Sequence, residues 1–198
     1  MKRSLMVICF FYLTGCSGSD SPSALEKGWD AFSAGNYAEA ITILTEAKND
    51  NPQNAEIRAA LGWALMRTDQ LQSAESEFDA GAQLANPSAD LFAGWAFVLN
   101  ALKDHAASNE SIAELTALDP NWIFTYDQKL TYQDLMILKA ENHFLLGEFQ
   151  SALAAVMTVN SSFSADVATD EGRGQLAAEI ERLRGDFSKQ LKHLNYLF

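Results

Sequence analysis

The chain of 198 residues is 48% hydrophobic and carries 26 acidic against 14 basic residues, a formal net charge of −12 at pH 7. A surface of that sign is repelled by phosphate backbones, which argues against nucleic acid as a partner. The three histidines have no metal-ligand spacing, so the composition indicates neither a metal site nor another cofactor.

The first element in chain order has the pattern of a targeting signal. Lys2 and Arg3 precede a short apolar run that ends at Leu13, the layout of a secretory signal peptide. The run is too short to span a bilayer as a helix, which needs roughly 20 apolar residues. The next residues, Leu13-Thr14-Gly15-Cys16, resemble the lipobox of bacterial lipoproteins. An ordinary signal peptide that happens to contain a cysteine is the alternative.

The lipoprotein resemblance implies that residues 1–15 are removed and that Cys16 is the site of lipid attachment. It also implies anchoring through lipid alone, on the periplasmic side of a bacterial membrane, and Ser17 after the cysteine favours the outer membrane. The small polar residues that follow Cys16 predict a flexible tether over residues 16–23. We therefore expect a folded domain over residues 24–198.

The remainder of the chain repeats itself with a period of about 34 residues, marked by Pro52, Pro87 and Pro120. Each repeat has a small residue at one slot of its first predicted helix, and these are Gly28, Gly62, Ala96, Ala140 and Ala178. A bulky residue sixteen positions later completes the pattern at Leu44, Phe78, Ile112 and Val156. Turns between paired helices are predicted near Gly35, Asp69, Lys103, Gly147 and Gly185.

This pattern resembles the tetratricopeptide repeat (TPR), most clearly at Leu61-Gly62, Ala74, Phe78 and Pro87. The resemblance implies an all-α solenoid of antiparallel helix pairs, with about four to five repeats and C-terminal capping helices. We expect the small slots to permit close helix packing. Gly94 lies two residues ahead of its slot, so we interpret the third Gly-Trp pair as a coincidence, unlike Gly28-Trp29 and Gly62-Trp63.

The first helices carry a second apolar stripe beside the one that meets the partner helix. In TPR proteins that stripe lines the concave groove where peptides bind. The resemblance therefore implies a partner-binding groove made by Trp29, Phe32, Trp63, Met66, Phe97, Ile137 and Phe144. The polar neighbours would be Arg67, Asn100 and Glu141. Packing of the same aromatic side chains between adjacent repeats is the alternative.

About ten extra residues, 121–131, separate the third repeat from the fourth and contain Trp122, Phe124 and Tyr126. We call this segment the insertion loop. Insertions in repeat proteins are often part of the binding face, and a hydrophobic plug over the junction of repeats three and four is the alternative. Thr131 and Asp134 predict a capping box that restarts the helix.

No residue pattern indicates catalysis. Gly172-Arg173-Gly174 matches part of a dinucleotide fingerprint, but no strand precedes it, so we interpret it as a helix start. The sequence predicts a lipid-anchored periplasmic scaffold, not an enzyme, that binds a protein or peptide of the bacterial envelope in its groove and belongs to an envelope assembly. A self-assembling structural lipoprotein without a peptide ligand is the alternative, followed by an enzyme with an unrecognised site.

Overall fold

The computed structural model describes residues 22–190, and the side chains as far as residue 185. Its helices are α1 (Ala24–Ser33), α2 (Tyr37–Asp50), α3 (Ala55–Met66), α4 (Leu71–Ala82), α5 (Ala89–Ala101), α6 (His105–Leu118), α7 (Tyr132–Leu145), α8 (Phe149–Val159) and α9 (Asp170–Gln190). An isolated antiparallel bridge joins Ile123 and Thr131. The predicted signal peptide, Cys16 and most of the tether lie outside the described residues. The all-α prediction is confirmed for the part of the chain that is described.

The first eight helices form four antiparallel pairs, each closed by the same tight turn. One residue in each turn has a left-handed backbone: Gly35 at φ 79°, Asp69 at 61°, Lys103 at 67° and Gly147 at 76°. Glycine adopts that conformation without a steric cost, whereas a lysine does so only where the surrounding structure requires it. These four turns lie where the repeat frame predicts them.

The small slots permit close packing of the paired helices, as predicted. A Cβ atom on Gly28 would lie 2.4 Å from Cδ2 of Leu44, and one on Gly62 would lie 2.7 Å from Cζ of Phe78. Gly94 has a packing role outside that slot, because a Cβ atom there would lie 2.4 Å from Cζ of Phe78. Gly94 permits close packing against the preceding repeat, a contact that a single-repeat frame does not contain.

The first helix of each pair is more deeply buried than the second. In α3 every residue from Ala59 to Met66 is buried, whereas α4 buries Ala74, Phe78 and Gly81 alone. In the described range α1, α3, α5, α7 and α9 lie side by side in that order, and the second helices contact first helices but not each other. Because the first helices contact each other and the second helices do not, the row of first helices forms the inner side of the solenoid. We call this side the inner face.

The prediction of a fifth turn at Gly185 is wrong, and the predicted C-terminal capping helices are one helix as far as the structure describes them. A single helix, α9, continues from Asp170 to Gln190 and lies against α7 and α8. Ion pairs one helical turn apart, Arg182 to Glu179 at 2.7 Å and Arg184 to Glu181 at 2.9 Å, support the helix before Gly185. A glycine inside a helix costs only about 1 kcal/mol relative to alanine, so these neighbours carry the helix through it. Gly172 lies in the first turn of the same helix, which confirms the helix start predicted there.

Candidate functional site: an inner face closed by its own loop

Aromatic side chains from three successive repeats meet on the inner face. The ring centroids of Phe32 and Trp63 lie 6.5 Å apart, and those of Trp63 and Phe97 lie 6.2 Å apart. Trp29 contacts Phe32 edge-on at 5.4 Å. These distances are within the range at which aromatic pairs attract each other. Four of the predicted groove residues are therefore brought together in one row.

The insertion loop folds into a short hairpin-like segment over this row. The amide of Phe124 donates to the carbonyl of Leu130 at 2.9 Å, and the amide of Tyr132 donates to the carbonyl of Trp122 at 2.8 Å. Extended backbone directs alternate side chains to opposite sides. Trp122 and Phe124 are accordingly buried, whereas Ile123 between them is 55% exposed. The loop presents one aromatic side to the repeats and the other side to solvent.

The aromatic side chains of the loop stack on those of the first two repeats. Phe124 lies over Trp63 with centroids 4.2 Å apart and ring planes 20° from parallel. Tyr126 lies over Trp29 at 3.7 Å and 8°. Phe124 also makes edge contacts with Phe32 and Trp29, both at 6.0 Å. We call Trp29, Phe32, Trp63, Phe97, Trp122, Phe124 and Tyr126 the aromatic cluster.

Asp90, in the first turn of α5, joins the loop to the repeats. Its backbone carbonyl accepts a hydrogen bond from Nε1 of Trp63 at 2.8 Å, and its carboxylate accepts one from Nε1 of Trp122 at 2.6 Å. The pKa of Asp90 is raised to about 6, chiefly by burial and to a smaller extent by the charges of Glu56 and Asp119, while the Trp122 hydrogen bond acts in the opposite direction. The carboxyl group is therefore held in place at a cost to its charged form.

A second polar contact lies at the tip of the loop. The guanidinium of Arg67 donates to the hydroxyl of Tyr37 at 2.5 Å and lies 4.9 Å from the centroid of the Tyr37 ring and 5.7 Å from that of Phe32. Burial lowers the pKa of Arg67, and Tyr37 and Asp127 oppose that shift. A cleft of about 280 Å³ opens beside these residues and Tyr126. Arg67 is the positive group at this end of the cluster.

The other predicted site residues are placed differently. Met66 is 2% exposed and Ile137 is 6% exposed, so both are part of the core. Phe144 is half-buried and packs against Phe149 of its own repeat at 5.2 Å, away from the aromatic cluster. The side chains of the insertion loop contact repeats one to three. The predicted role of these residues in partner binding stays a prediction.

Polar side chains join the first helices further along the inner face. Asn142 of α7 is fully buried, accepts from Nδ2 of Asn100 at 2.7 Å and donates to Ser108 at 2.8 Å and Asn109 at 3.1 Å. Glu141 pairs with Arg184 of α9 at 3.3 Å. Two of the predicted polar neighbours, Asn100 and Glu141, thus hold successive repeats together.

Sequence reasoning missed the roles of Asp90 and Asn142. An acidic residue in the first turn of a helix is common because it offsets the helix dipole, so Asp90 gave no distinctive signal. A signal that could have indicated Asn142 is its place two residues after the small slot, where the second and third repeats have Ala64 and Val98. Among the residues described, no group of acidic, histidine or cysteine side chains has the arrangement of a metal site. Within the same range, no helix has the length and hydropathy needed to cross a membrane.

Comparison with known proteins identifies the repeat. The tetratricopeptide repeat family model matches residues 31–94. A crystal structure of MamA superimposes with a TM-score of 0.58 at 17% identity, over 86% of this chain and 93% of that one. A second MamA structure, from AMB-1, gives 0.60 at 12% identity, over 88% and 94%. A tetratricopeptide repeat protein from Parabacteroides merdae gives 0.57 at 17%, over 88% of this chain and 64% of its own. A search of curated proteins found no match.

The tetratricopeptide repeat match over part of the chain and the fold of the described residues agree with each other, since both give antiparallel helix pairs stacked into a solenoid. Proteins with this repeat generally act as scaffolds for protein-protein interaction.

Proposed function

We propose that this protein is a lipid-anchored scaffold of the bacterial envelope, which faces the periplasm and binds a segment of a partner protein on its inner face. One observation carries the proposal. The inner face of repeats one to three already holds a peptide segment, the hairpin-like insertion loop, by ring stacking and by the indole hydrogen bond of Trp122. A surface that holds one such segment has the shape and chemistry to hold another.

The membrane part of the proposal rests on the sequence before the described residues. Basic residues, a short apolar run and Leu13-Thr14-Gly15-Cys16 are in the order that lipidation requires. Two or three acyl chains give a stable anchor, whereas one gives marginal binding. Tethering would raise the local concentration of the scaffold near partners in the same membrane. We expect the partner to be an envelope protein for that reason.

Metabolic labelling tests the anchor. The full-length chain should incorporate labelled palmitate and sediment with the outer membrane, and Cys16→Ala should lose both properties. Label in the Cys16→Ala protein, or a wild-type protein found in the soluble fraction, would contradict the anchor.

Site-specific photo-crosslinking tests the partner. A photo-crosslinking amino acid at Ser33, which is exposed beside Tyr126 at the tip of the loop, should capture a discrete protein in living cells. The matched control is the same amino acid at Ser76, which is exposed on the outer helix α4. Equal capture at both positions, or capture of a second copy of this chain alone, would contradict binding of a partner by the inner face.

A further inference from the structure

The inner face of repeats one to three is closed. Trp29 and Phe32 are each 3% exposed and Trp63 is not exposed at all, since Phe124 and Tyr126 lie over them. A partner segment cannot reach these rings while the insertion loop is in place. If the proposed function is correct, partner binding to this surface therefore requires the loop to move.

The loop contacts the repeats in the manner of a bound peptide. Its main-chain hydrogen bonds close on the hairpin itself, between Phe124 and Leu130 and between Trp122 and Tyr132. Its hold on the first two repeats comes from rings at alternate positions, and its hold on α5 comes from the indole of Trp122. Phe124 follows extended backbone and Tyr126 lies in the turn after it, so a short segment with aromatic side chains at alternate positions can reproduce these contacts.

With the insertion loop in place, two polar groups are poorly stabilised: one lacks a hydrogen-bond acceptor and the other is a partly desolvated carboxylate. The indole N–H of Trp29 is buried without a hydrogen-bond acceptor among the described residues. The carboxylate of Asp90 is half-buried, and this burial, with smaller contributions from the charges of Glu56 and Asp119, raises its pKa. Unpaired buried donors and poorly solvated charges oppose the state that contains them. A segment that supplied a hydrogen-bond acceptor for Trp29 would bind the same surface without leaving that indole N–H unpaired.

The charges around the loop select for a basic segment. Burial raises the pKa of Tyr126, and the negative charges of Glu56, Asp90, Asp30 and Glu26 act in the same direction. Opposite charge steers association and favours one partner over others. The chain as a whole carries a net charge of −12, which acts in the same direction.

From these contacts we infer that residues 121–131 are a built-in competitor, and that the partner segment is an extended peptide with aromatic side chains at alternate positions and flanking lysine or arginine, which binds by displacing them. The loop is covalently attached to the surface that it covers, so its effective concentration is high. Access to the inner face is set by the competition between this loop and the partner segment. The inference rests on the proposed function and specifies the partner's chemistry.

The test uses the loop sequence as the probe. A capped, fluorescein-labelled peptide with the sequence of residues 121–131 is titrated with the full-length chain in detergent, and binding is read by fluorescence anisotropy. Phe124→Ala in the chain removes the ring that stacks on Trp63. Ile123→Ala is the matched control, because that side chain is 55% exposed on the other side of the hairpin. Tyr126→Ala, at a half-buried position, is a second variant in case Phe124→Ala unfolds.

We expect the peptide to bind at least tenfold more tightly to folded Phe124→Ala or Tyr126→Ala chain than to wild type, while Ile123→Ala matches wild type. A peptide with alanine in place of its own phenylalanine should lose most of this affinity. Two added lysines at each end should strengthen binding and two added glutamates should weaken it, with a difference that decreases as salt is raised.

Equal affinity of wild type and folded loop variants would overturn the inference. So would dimerisation of the Phe124→Ala chain without tighter peptide binding, because the occupant would then be a second copy. These results are distinguishable from failure of the proposed function. Crosslinking at Ser33 with no loop effect leaves the scaffold in place without a competitor, and a loop effect with no crosslinked partner leaves the competitor without the proposed scaffold function.

Discussion

The inner face has two regions that join their repeats by different chemistry. Between α1, α3 and α5 the contacts are aromatic, from Phe32 to Trp63 to Phe97. Between α5, α7 and α9 they are polar, from Asn100 to Asn142 and from Glu141 to Arg184. The same repeat therefore supplies two kinds of surface. The aromatic region can stack with the rings of different peptide segments. The polar region pairs specific side chains of this chain through hydrogen bonds and an ion pair.

The aromatic and polar regions are also covered by different elements of the chain. The aromatic region is covered by the insertion loop, and α9 packs against α7 through Leu176, Ile180 and Leu183, which are all buried. Stacked rings tolerate exchange of one aromatic segment for another, because the interaction depends on area and ring orientation. Buried hydrogen-bond networks do not tolerate such exchange, because each unpaired group is costly. We expect the first region to open and the second to remain closed.

The largest expected effect comes from Trp63, the centre of the aromatic region. Trp63→Ala removes a fully buried ring together with its hydrogen bond to Asp90, and we expect a loss of about 3 to 5 kcal/mol in the free energy of unfolding. Urea denaturation followed by circular dichroism measures it. Trp95→Ala, at a half-buried position outside the cluster, is the control and should cost less. Equal losses would remove the distinction between the two tryptophans.

The next effect tests the polar region. Asn142→Ala leaves Asn100, Ser108 and Asn109 each without one hydrogen-bond partner, and we expect a loss of about 1 to 3 kcal/mol. The control is Asn36→Ala, since Asn36 is exposed and its side chain makes no capping hydrogen bond. If both variants unfold at the same urea concentration, the network does not hold the repeats together.

A smaller effect depends on pH and returns to the aromatic region. The pKa of Asp90 is raised to about 6 in the folded chain from 3.8. The folded state thus binds the proton more tightly, and this group's contribution to stability falls as pH rises from about 4 to 6. Asp90→Asn keeps an acceptor for Trp122 and removes the charge. We expect the variant to be about 1 to 2 kcal/mol more stable than wild type at pH 7.5 and equal to it at pH 4.

Thermal unfolding across that pH range measures the Asp90 effect as the difference between variant and wild type. Asp79→Asn, on the exposed side of α4, serves as the control and should show no such difference. A wild-type chain that is less stable than Asp90→Asn at pH 4, or equally stable at pH 7.5, would contradict the assigned role of the Asp90 carboxylate.

The smallest expected effect concerns Gly185 of α9, outside the aromatic cluster and the polar contacts. Gly185 lies inside the helix and a Cβ atom there would meet no other atom within 4 Å. Gly185→Ala should therefore stabilise the chain by up to about 1 kcal/mol. Gly35→Ala is the opposite control, since the left-handed backbone at φ 79° makes the alanine destabilising. Destabilisation by Gly185→Ala would contradict a continuous helix at Gly185 and would favour the turn that the repeat frame predicts there.

Local sequence patterns predicted much of this fold because many contacts of a repeat are made within that repeat. The turn residues and the pairs Gly28 with Leu44 and Gly62 with Phe78 are contacts within one helix pair, at a fixed sequence separation. The fifth turn was predicted wrongly by the same frame, because Gly185 matches the pattern while its neighbours favour helix. The packing role of Gly94 was missed because its contact is with another repeat.

The sequence by itself determined the helices, their pairing and the stripe of aromatic residues on the first helices, because all of these follow from periodicity. Only the tertiary structure decided what lies on that stripe. The insertion loop, residues 121–131, is far from Trp29 in the sequence, and no local pattern states that Tyr126 stacks on Trp29. The long-range contact depends on the stacking of α1, α3 and α5 side by side, which brings their side chains to one face under the loop.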